Sequence, residues 1–432
     1  GGVSIGLRPQ DLFRRLHAPS HYDGPHGAVT AGGHIWCLPH KRGAKQPEGR
    51  LAVKKLADHV EELILMQENM NLSLAFDACE DNPVNTSMAA AGRCNPTGEP
   101  RQAYEISQDV HKQLTTILGV IRDLSGDSAE SERKACQKRM PGEDAIELLE
   151  QLIAEDVPVQ LLAQLDILEF EARKDVMNVC CALLRPGMPP QIDKQVVDYL
   201  SYHPNLFKVL VEGYSNEETA LLHGVVLRSC ARHVELAESF LTSGLVFELV
   251  RYARHPSIDI SSDAFYTLRE MLLAHKEVSA DWLDKNFGAF FELFNALLMS
   301  GEYIAERQAQ KLLTEILLDK HFRKVMVAYV SSEQHLQIHM NLLKDRSKVI
   351  QMEAYHVFKV FVANPMKPVR VQKILYRNRD KLVTLLESLR AAAKPEDTKL
   401  RDELRNVIDK LLRQSAPNSP VQQQQQQQQQ QQ

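Results

Sequence analysis

One helical stripe recurs along this chain every 45 residues, and it constrains the fold more than any other feature. The repeat centres on Ala264, Ala309 and Ala354. Around each alanine, mostly apolar residues fall at the same offsets before and after it, which places them on one face of an α-helix. The copies are Ile260, Thr267, Leu268, Met271 and Leu272, then Ala305, Leu312, Leu313, Ile316 and Leu317, then Ile350, Val357, Phe358, Phe361 and Val362.

The last copy shows the helix most clearly. It covers 348–365 and ends at Asn364-Pro365, because the residue before a proline is disfavoured in the helical region. Half of this helix is apolar, so it needs a neighbour to be stable. Partner helices are predicted before or after the copies at 206–214, 246–253, 290–298, 336–343 and 382–389.

A period near 45 residues with two or three helices per unit is typical of HEAT and armadillo arrays. Each unit buries its apolar face only against its neighbours. We therefore predict an all-α, armadillo/HEAT-like helical-repeat solenoid with a curved surface. A charged helix over 395–413, with Pro395 in its first position, is expected to close the array with a polar outer face.

The domain organisation follows from shifts in composition. Residues 1–50 are rich in glycine, proline and histidine and are predicted to be a disordered extension. Residues 51–103 are predicted to hold an N-terminal helix and a linker. The repeat domain is predicted over 104–415, and 416–432 is a disordered glutamine-rich tail.

Composition narrows the classes of partner. The 432-residue chain carries a net charge of −5, so neither nucleic acid nor a membrane surface is expected as its general partner. It contains no apolar run long enough to insert in a membrane. Its seven cysteines show no CxxC spacing, which favours a reducing, cytoplasmic setting without a disulfide framework.

No metal, cofactor or catalytic site is predicted. His34, Cys37 and His40 have metal-ligand spacing, but a structural zinc site needs four ligands and only one cysteine is present there. The chain shows no GxSxG, Walker, HExxH, kinase or EF-hand signature. An enzyme is therefore not predicted.

Comparing the repeats separates structural from functional residues. Residues that every copy carries are needed for the fold, whereas an exposed residue that only one copy carries is a candidate for function. The positions two before and two after the central alanine point away from the apolar stripe. In the middle copy they are Arg307 and Lys311, which share one helix face. The corresponding residues in the other copies are Ser262, Tyr266, Met352 and His356.

Two interpretations of this cation pair are open. Glu306 and Glu315 are the acids of this helix that could neutralise it, which would make a solvated face with an intrahelical ion pair. Otherwise Arg307 and Lys311 form a site for a carboxylate, such as the C-terminus of a peptide.

Four segments resemble a known family. They are DISSDAFYTLREMLLAHK (259–276), ERQAQKLLTEILLDKHF (306–322), MNLLKDRSKVIQ (340–351) and MEAYHVFKVFVANP (352–365). They closely resemble the Mo25 family, also called calcium-binding protein 39, and the resemblance runs over about 104–390. No calcium loop in this chain supports the calcium-binding name.

The resemblance implies a horseshoe-shaped, non-catalytic scaffold. A monomer is expected separately, because a capped solenoid shows no evident extra apolar face. Members of that family bind sterile-20-type serine/threonine kinases or the related pseudokinase STRAD. They hold the active conformation and promote the activity of that kinase or of an associated tumour-suppressor kinase. Relatives in fungi and plants serve cell polarity and division.

The resemblance also implies two sites. A pocket for a partner tail ending in Trp-Glu-Phe falls on Arg307, Lys311, Met340 and Arg377. A kinase-facing surface falls on Lys320, Phe322 and Arg323. Lys320 replaces a family arginine, and Arg323 stands where the family has phenylalanine, with Phe322 one place earlier. Both departures lie on the kinase-facing surface rather than among the four pocket residues.

An armadillo-type adaptor of another class, for polarity or transport, is the alternative. Such an adaptor would carry regularly repeated asparagine or tryptophan along its concave ridge. Trp282 is the only tryptophan within the repeats and cannot supply that pattern.

Overall fold

The computed structural model describes residues 48–80, 99–125, 142–394 and 396–414, and all regular secondary structure in these ranges is helical. The chain forms two compact units, residues 1–209 and 210–432. The N-terminal unit contains α1 (Glu48–Glu80), α2 (Glu99–Leu124), α3 (Gly142–Ala154), α4 (Val157–Ala163), α5 (Phe170–Leu183) and α6 (Pro190–Tyr202). Within it, α2 packs on α5, and α1 packs on α2, α3 and α4.

Helix α7 (Leu206–Glu212) spans the boundary, and the C-terminal unit continues with thirteen further α-helices over its described residues. They are α8 (Ala220–Cys230), α9 (Val234–Thr242), α10 (Val246–Tyr252), α11 (Ile258–Leu273), α12 (Lys276–Lys285), α13 (Phe287–Leu298), α14 (Tyr303–Leu318), α15 (Arg323–Val330), α16 (Glu333–Leu342), α17 (Lys348–Ala363), α18 (Val369–Arg377), α19 (Arg379–Ala392) and α20 (Thr398–Leu412).

The C-terminal unit is a stack of three-helix repeats. The helices α8, α11, α14, α17 and α20 pack one on the next, and so do α10, α13 and α16, and α9, α12 and α15. The repeat alanines Ala264, Ala309 and Ala354 are each 0% exposed in this stack. The predicted helical-repeat fold is therefore confirmed, with three helices in each repeat.

Helix α17 follows the sequence prediction closely. The Ser347 side chain accepts a hydrogen bond from the Ile350 N–H at 3.5 Å and caps its start. The helix ends at Ala363, directly before Asn364-Pro365. None of the helices in the described ranges is long and apolar enough to cross a membrane.

Some predicted boundaries were wrong. Helix α1 begins at Glu48, inside the extension predicted to be disordered, and α2 begins at Glu99, inside the predicted linker. The final helix begins at Thr398 rather than Pro395, because the Asp397 side chain accepts a hydrogen bond from the Leu400 N–H at 3.1 Å. The rest of the N-terminal extension, with His34, Cys37 and His40, and the glutamine tail lie outside the described residues.

Candidate functional site

Helix α14 carries the two cations that the repeat comparison selected. Its apolar stripe, which includes Leu313 and Ile316, is buried against neighbouring helices. Arg307 and Lys311 lie on the opposite side and are exposed. Their spacing of one helical turn puts both charges on the same face.

The two acids that could have neutralised this pair are engaged elsewhere. Glu306 is 8% exposed, and its Oε1 accepts a hydrogen bond from the Gly301 N–H at 2.8 Å. The Glu315 Oε2 accepts one from Arg269 Nε on α11 at 2.9 Å. Within the described ranges, neither Arg307 nor Lys311 has an ion-pair partner. An intrahelical ion pair therefore does not account for these cations.

The pKa of the Glu306 carboxyl is raised above its usual value. Burial raises its pKa, and the nearby charge of Asp345 raises it further, while the bond from the Gly301 N–H lowers it. Glu306 thus belongs to the start of α14 as a buried anchor for the backbone.

The other two predicted pocket residues lie on packed helices. Met340 is on α16 and 8% exposed, whereas Arg377 is on α18 and exposed. Helices α16 and α18 pack together, and Arg370 Nη1 donates to Glu333 Oε1 at 2.9 Å between their first turns. Met340 and Arg377 each lie seven residues beyond their member of this ion pair.

The predicted kinase-facing surface needs one correction. Lys320 and Arg323 are exposed, but Phe322 is 0% exposed and belongs to the core beneath them. The reason is the short 3₁₀ turn Lys320–Phe322, which directs the ring inward just before α15 begins. Phe322 therefore cannot replace the lost family aromatic as a surface contact.

This turn is fixed by Asp319. Lys276 Nζ donates to Asp319 Oδ2 at 2.7 Å, and the His321 N–H donates to Asp319 Oδ1 at 2.9 Å. These bonds, led by that from Lys276, hold the pKa of the Asp319 carboxyl well below its usual range. The exposed Lys320 and Arg323 are thus presented by an ordered turn.

Sequence reasoning missed a polar cluster between α8 and α11. Arg228 Nη1 lies 2.9 Å from Asp263 Oδ1, and the Tyr214 hydroxyl donates to Asp263 Oδ2 at 2.7 Å. The Arg228 guanidinium also lies 4.7 Å from the centroid of the exposed Tyr266 ring. Gly224, inside α8, was the available signal, because a glycine in a helix interior often marks a close approach.

Trp282 is 8% exposed and packs against Phe247 and Phe290. It is therefore a core residue. This gives no support to an adaptor that reads its partner through exposed tryptophan.

Stacked helical repeats create extended surfaces that proteins of this architecture use for binding. The sequence profile described as Mo25-like matches residues 84–413. The chain is 37% identical to the human protein "Calcium-binding protein 39-like" over 321 residues, which are 74% of this chain and 91% of that protein. It is 40% identical over 263 residues to the "Mo25-like protein" of Schizosaccharomyces pombe, which are 61% of this chain and 79% of that protein.

This chain belongs to the Mo25-like family, as its sequence resemblance predicted. Among solved structures, a computationally designed armadillo repeat protein matches with a TM-score of 0.35 and 12% identity, over 61% of this chain and 98% of that chain. That likeness adds nothing to the family assignment.

Proposed function

We propose that this protein is a non-catalytic, monomeric and cytoplasmic scaffold that binds sterile-20-type kinases or a kinase–pseudokinase complex and holds the active conformation. A scaffold activates only if it binds the active conformation more tightly than the inactive one. Family membership supports the scaffold class. The observation that carries the binding site is the uncompensated pair Arg307 and Lys311.

The proposed pocket takes the C-terminal tail of the partner, of the Trp-Glu-Phe type. Arg307, Lys311 and Arg377 supply cations for the terminal and side-chain carboxylates, where charge-assisted bonds are strongest. Met340 supplies a flexible apolar wall that adapts to an aromatic ring. Its low exposure suits a pocket floor more than a rim.

A peptide titration tests the pocket. The full-length protein is titrated with a labelled peptide ending in Trp-Glu-Phe, and with the same peptide amidated at its C-terminus. We expect amidation to weaken binding about tenfold or more, because a charged hydrogen bond is lost. Arg307→Ala and Met340→Ala should each weaken binding of the free-acid peptide, whereas the exposed control Lys285→Ala should not.

Equal affinity of both peptides, or unchanged affinity in both pocket variants, would show that the pocket assignment is wrong. Activation is tested separately with a purified sterile-20-type kinase. Lys320→Ala and Arg323→Ala should lower the stimulated kinase activity while leaving peptide binding unchanged. If neither variant lowers it, these two residues do not form the kinase-facing surface.

A further inference from the structure

Basic residues are concentrated near the proposed pocket. Residues 367–381 contain six lysines and arginines but only one acidic residue. Residues 344–348 contain three lysines and arginines and one acidic residue. Both segments are basic although the whole chain carries a net charge of −5. Besides the pocket residue Arg377, the exposed members without a described ion-pair partner are Lys344, Arg346, Lys348, Lys373 and Lys381, here called the basic strip.

The fold brings the basic strip to the pocket from two sides. On α18, Val371 and Leu375 are buried, while Lys373 is exposed one turn before the pocket residue Arg377. Lys381 follows in the first turn of α19. The strip thus continues the cationic face of the pocket along α18 and into the next helix.

The second side is the connection between α16 and α17, which carries Lys344, Arg346 and Lys348. Helix α17, which begins at Lys348, packs on α14, the helix that carries Arg307 and Lys311. The connection therefore leads directly into the helix that packs on the pocket helix.

The acids near the strip leave its charge uncompensated. Glu333 pairs with Arg370 at 2.9 Å, and Asp380 pairs with Arg379 at 3.1 Å. Asp345 Oδ1 accepts a bond from the Ser347 N–H at 2.7 Å. Across the described part of the chain, no residue of the basic strip has an ion-pair partner.

We propose that the basic strip binds a run of aspartate and glutamate residues that directly precedes the C-terminal tail of the partner. This inference rests on the proposed tail-binding function and specifies the chemistry of the partner. The strip is continuous with the site for the terminal carboxylate, and its positive charge complements a negatively charged chain. The nine residues of α18 span about 13 Å, the reach of roughly four extended peptide residues.

The test compares two peptides that share the same C-terminal Trp-Glu-Phe. One carries about four acidic residues immediately upstream, the reach estimated for α18, and the other carries serine and glutamine there. We expect the acidic peptide to bind the full-length protein about tenfold more tightly at low salt, through several exposed ion pairs. This advantage should shrink as salt is raised towards ~0.5 M, because exposed charges are screened.

Matched variants localise the effect. Lys373→Ala/Lys381→Ala should remove most of the advantage of the acidic peptide while leaving the affinity of the neutral peptide unchanged. Arg254→Ala/Lys285→Ala removes two exposed cations elsewhere in the same unit and should preserve the advantage. Neither double variant changes a residue assigned to the pocket.

The outcomes separate the two proposals. If the two peptides bind with equal affinity, the basic strip does not bind acidic residues, and the proposal of a tail-binding pocket is unaffected. If neither peptide binds, the tail-binding function and the strip inference both fail. If the strip variant weakens binding to phosphatidylserine vesicles or polyuridylate RNA but not to the acidic peptide, the strip serves another polyanion and this proposal is wrong.

Discussion

Gly224 lies where the fold leaves no room for a side chain. A Cβ atom added there would lie 1.9 Å from Asp263 Oδ2 and 2.5 Å from the Tyr214 hydroxyl. Both atoms belong to the buried cluster that Arg228 completes. Burial and the charge of Asp263 raise the pKa of Tyr214, so its hydroxyl stays protonated and can donate to that carboxylate.

Substitution of Gly224 by alanine should therefore destabilise the protein. Displacing Asp263 or Tyr214 breaks a buried, charged hydrogen-bond network, which costs about 3 kcal/mol. The control is Gly119→Ala on α2, where nothing lies within 4 Å of the added Cβ. That exposed helical position should gain roughly 0.5–1 kcal/mol in the free energy of unfolding. Urea unfolding measures both variants, and equal stability of Gly224→Ala and the parent would contradict the described packing.

At the scale of helices, periodicity predicted the repeat copies and many of their partner helices, but not the third helix of each repeat. The stripes of α11, α14 and α17 could be read from the sequence because three copies share one spacing. Helices α9, α12 and α15, which form one layer of the stack, were not predicted. Their positions depend on packing against neighbours, which a local pattern does not contain.

The sequence predicted the cation pair of the candidate site but not the contacts around it. Comparing the repeats isolated Arg307 and Lys311 because no other copy carries two cations there. That Glu315 bonds to Arg269 on the preceding repeat could not be inferred, because this bond joins residues on different helices. The burial of Phe322 depends on the 3₁₀ turn, which has no clear sequence signal.

Helices α13, α15 and α16 meet around a buried histidine. His339 is 0% exposed, and its Nε2 lies 3.0 Å from the Tyr329 hydroxyl, which also donates to Asn295 Oδ1 at 3.2 Å. Burial, with a smaller contribution from His335, lowers the pKa of His339 to about 3. His339 is therefore neutral in the folded protein near neutral pH.

This burial predicts a loss of stability in acid. Below the unfolded pKa of about 6.5, the unfolded chain binds a proton at His339 that the folded chain does not. The free energy of unfolding should fall as pH drops from about 6.5 towards 3, by up to ~1.4 kcal/mol per pH unit from this group. His339→Phe should cost stability at pH 8 but show a shallower fall between pH 7 and 5. Denaturant titrations at each pH measure this, and identical slopes would show that His339 does not couple folding to pH.

At the scale of the molecule, the C-terminal unit is stabilised chiefly between neighbouring repeats. Ion pairs reinforce successive layers, as between Arg269 and Glu315 and between Lys359 and Glu403, whose charged atoms are 2.9 Å and 2.8 Å apart. Helix α20 packs on α17 and α19 at the C-terminal end of the described stack.

A cavity in α20 should therefore weaken the nearest layers before the distant ones. Leu404 is 0% exposed, and Leu404→Ala should lower the free energy of unfolding by about 2–5 kcal/mol. In a repeat array each layer contacts only its neighbours, so hydrogen exchange should accelerate most in α17, α19 and α20 and least in α8. Leu412→Ala on the same helix is the control, because Leu412 is 51% exposed and its loss should change stability by less than about 0.5 kcal/mol. Uniform acceleration from α8 to α20 would instead show that the unit opens as one cooperative block, and that the nearest-neighbour description of its stability is wrong.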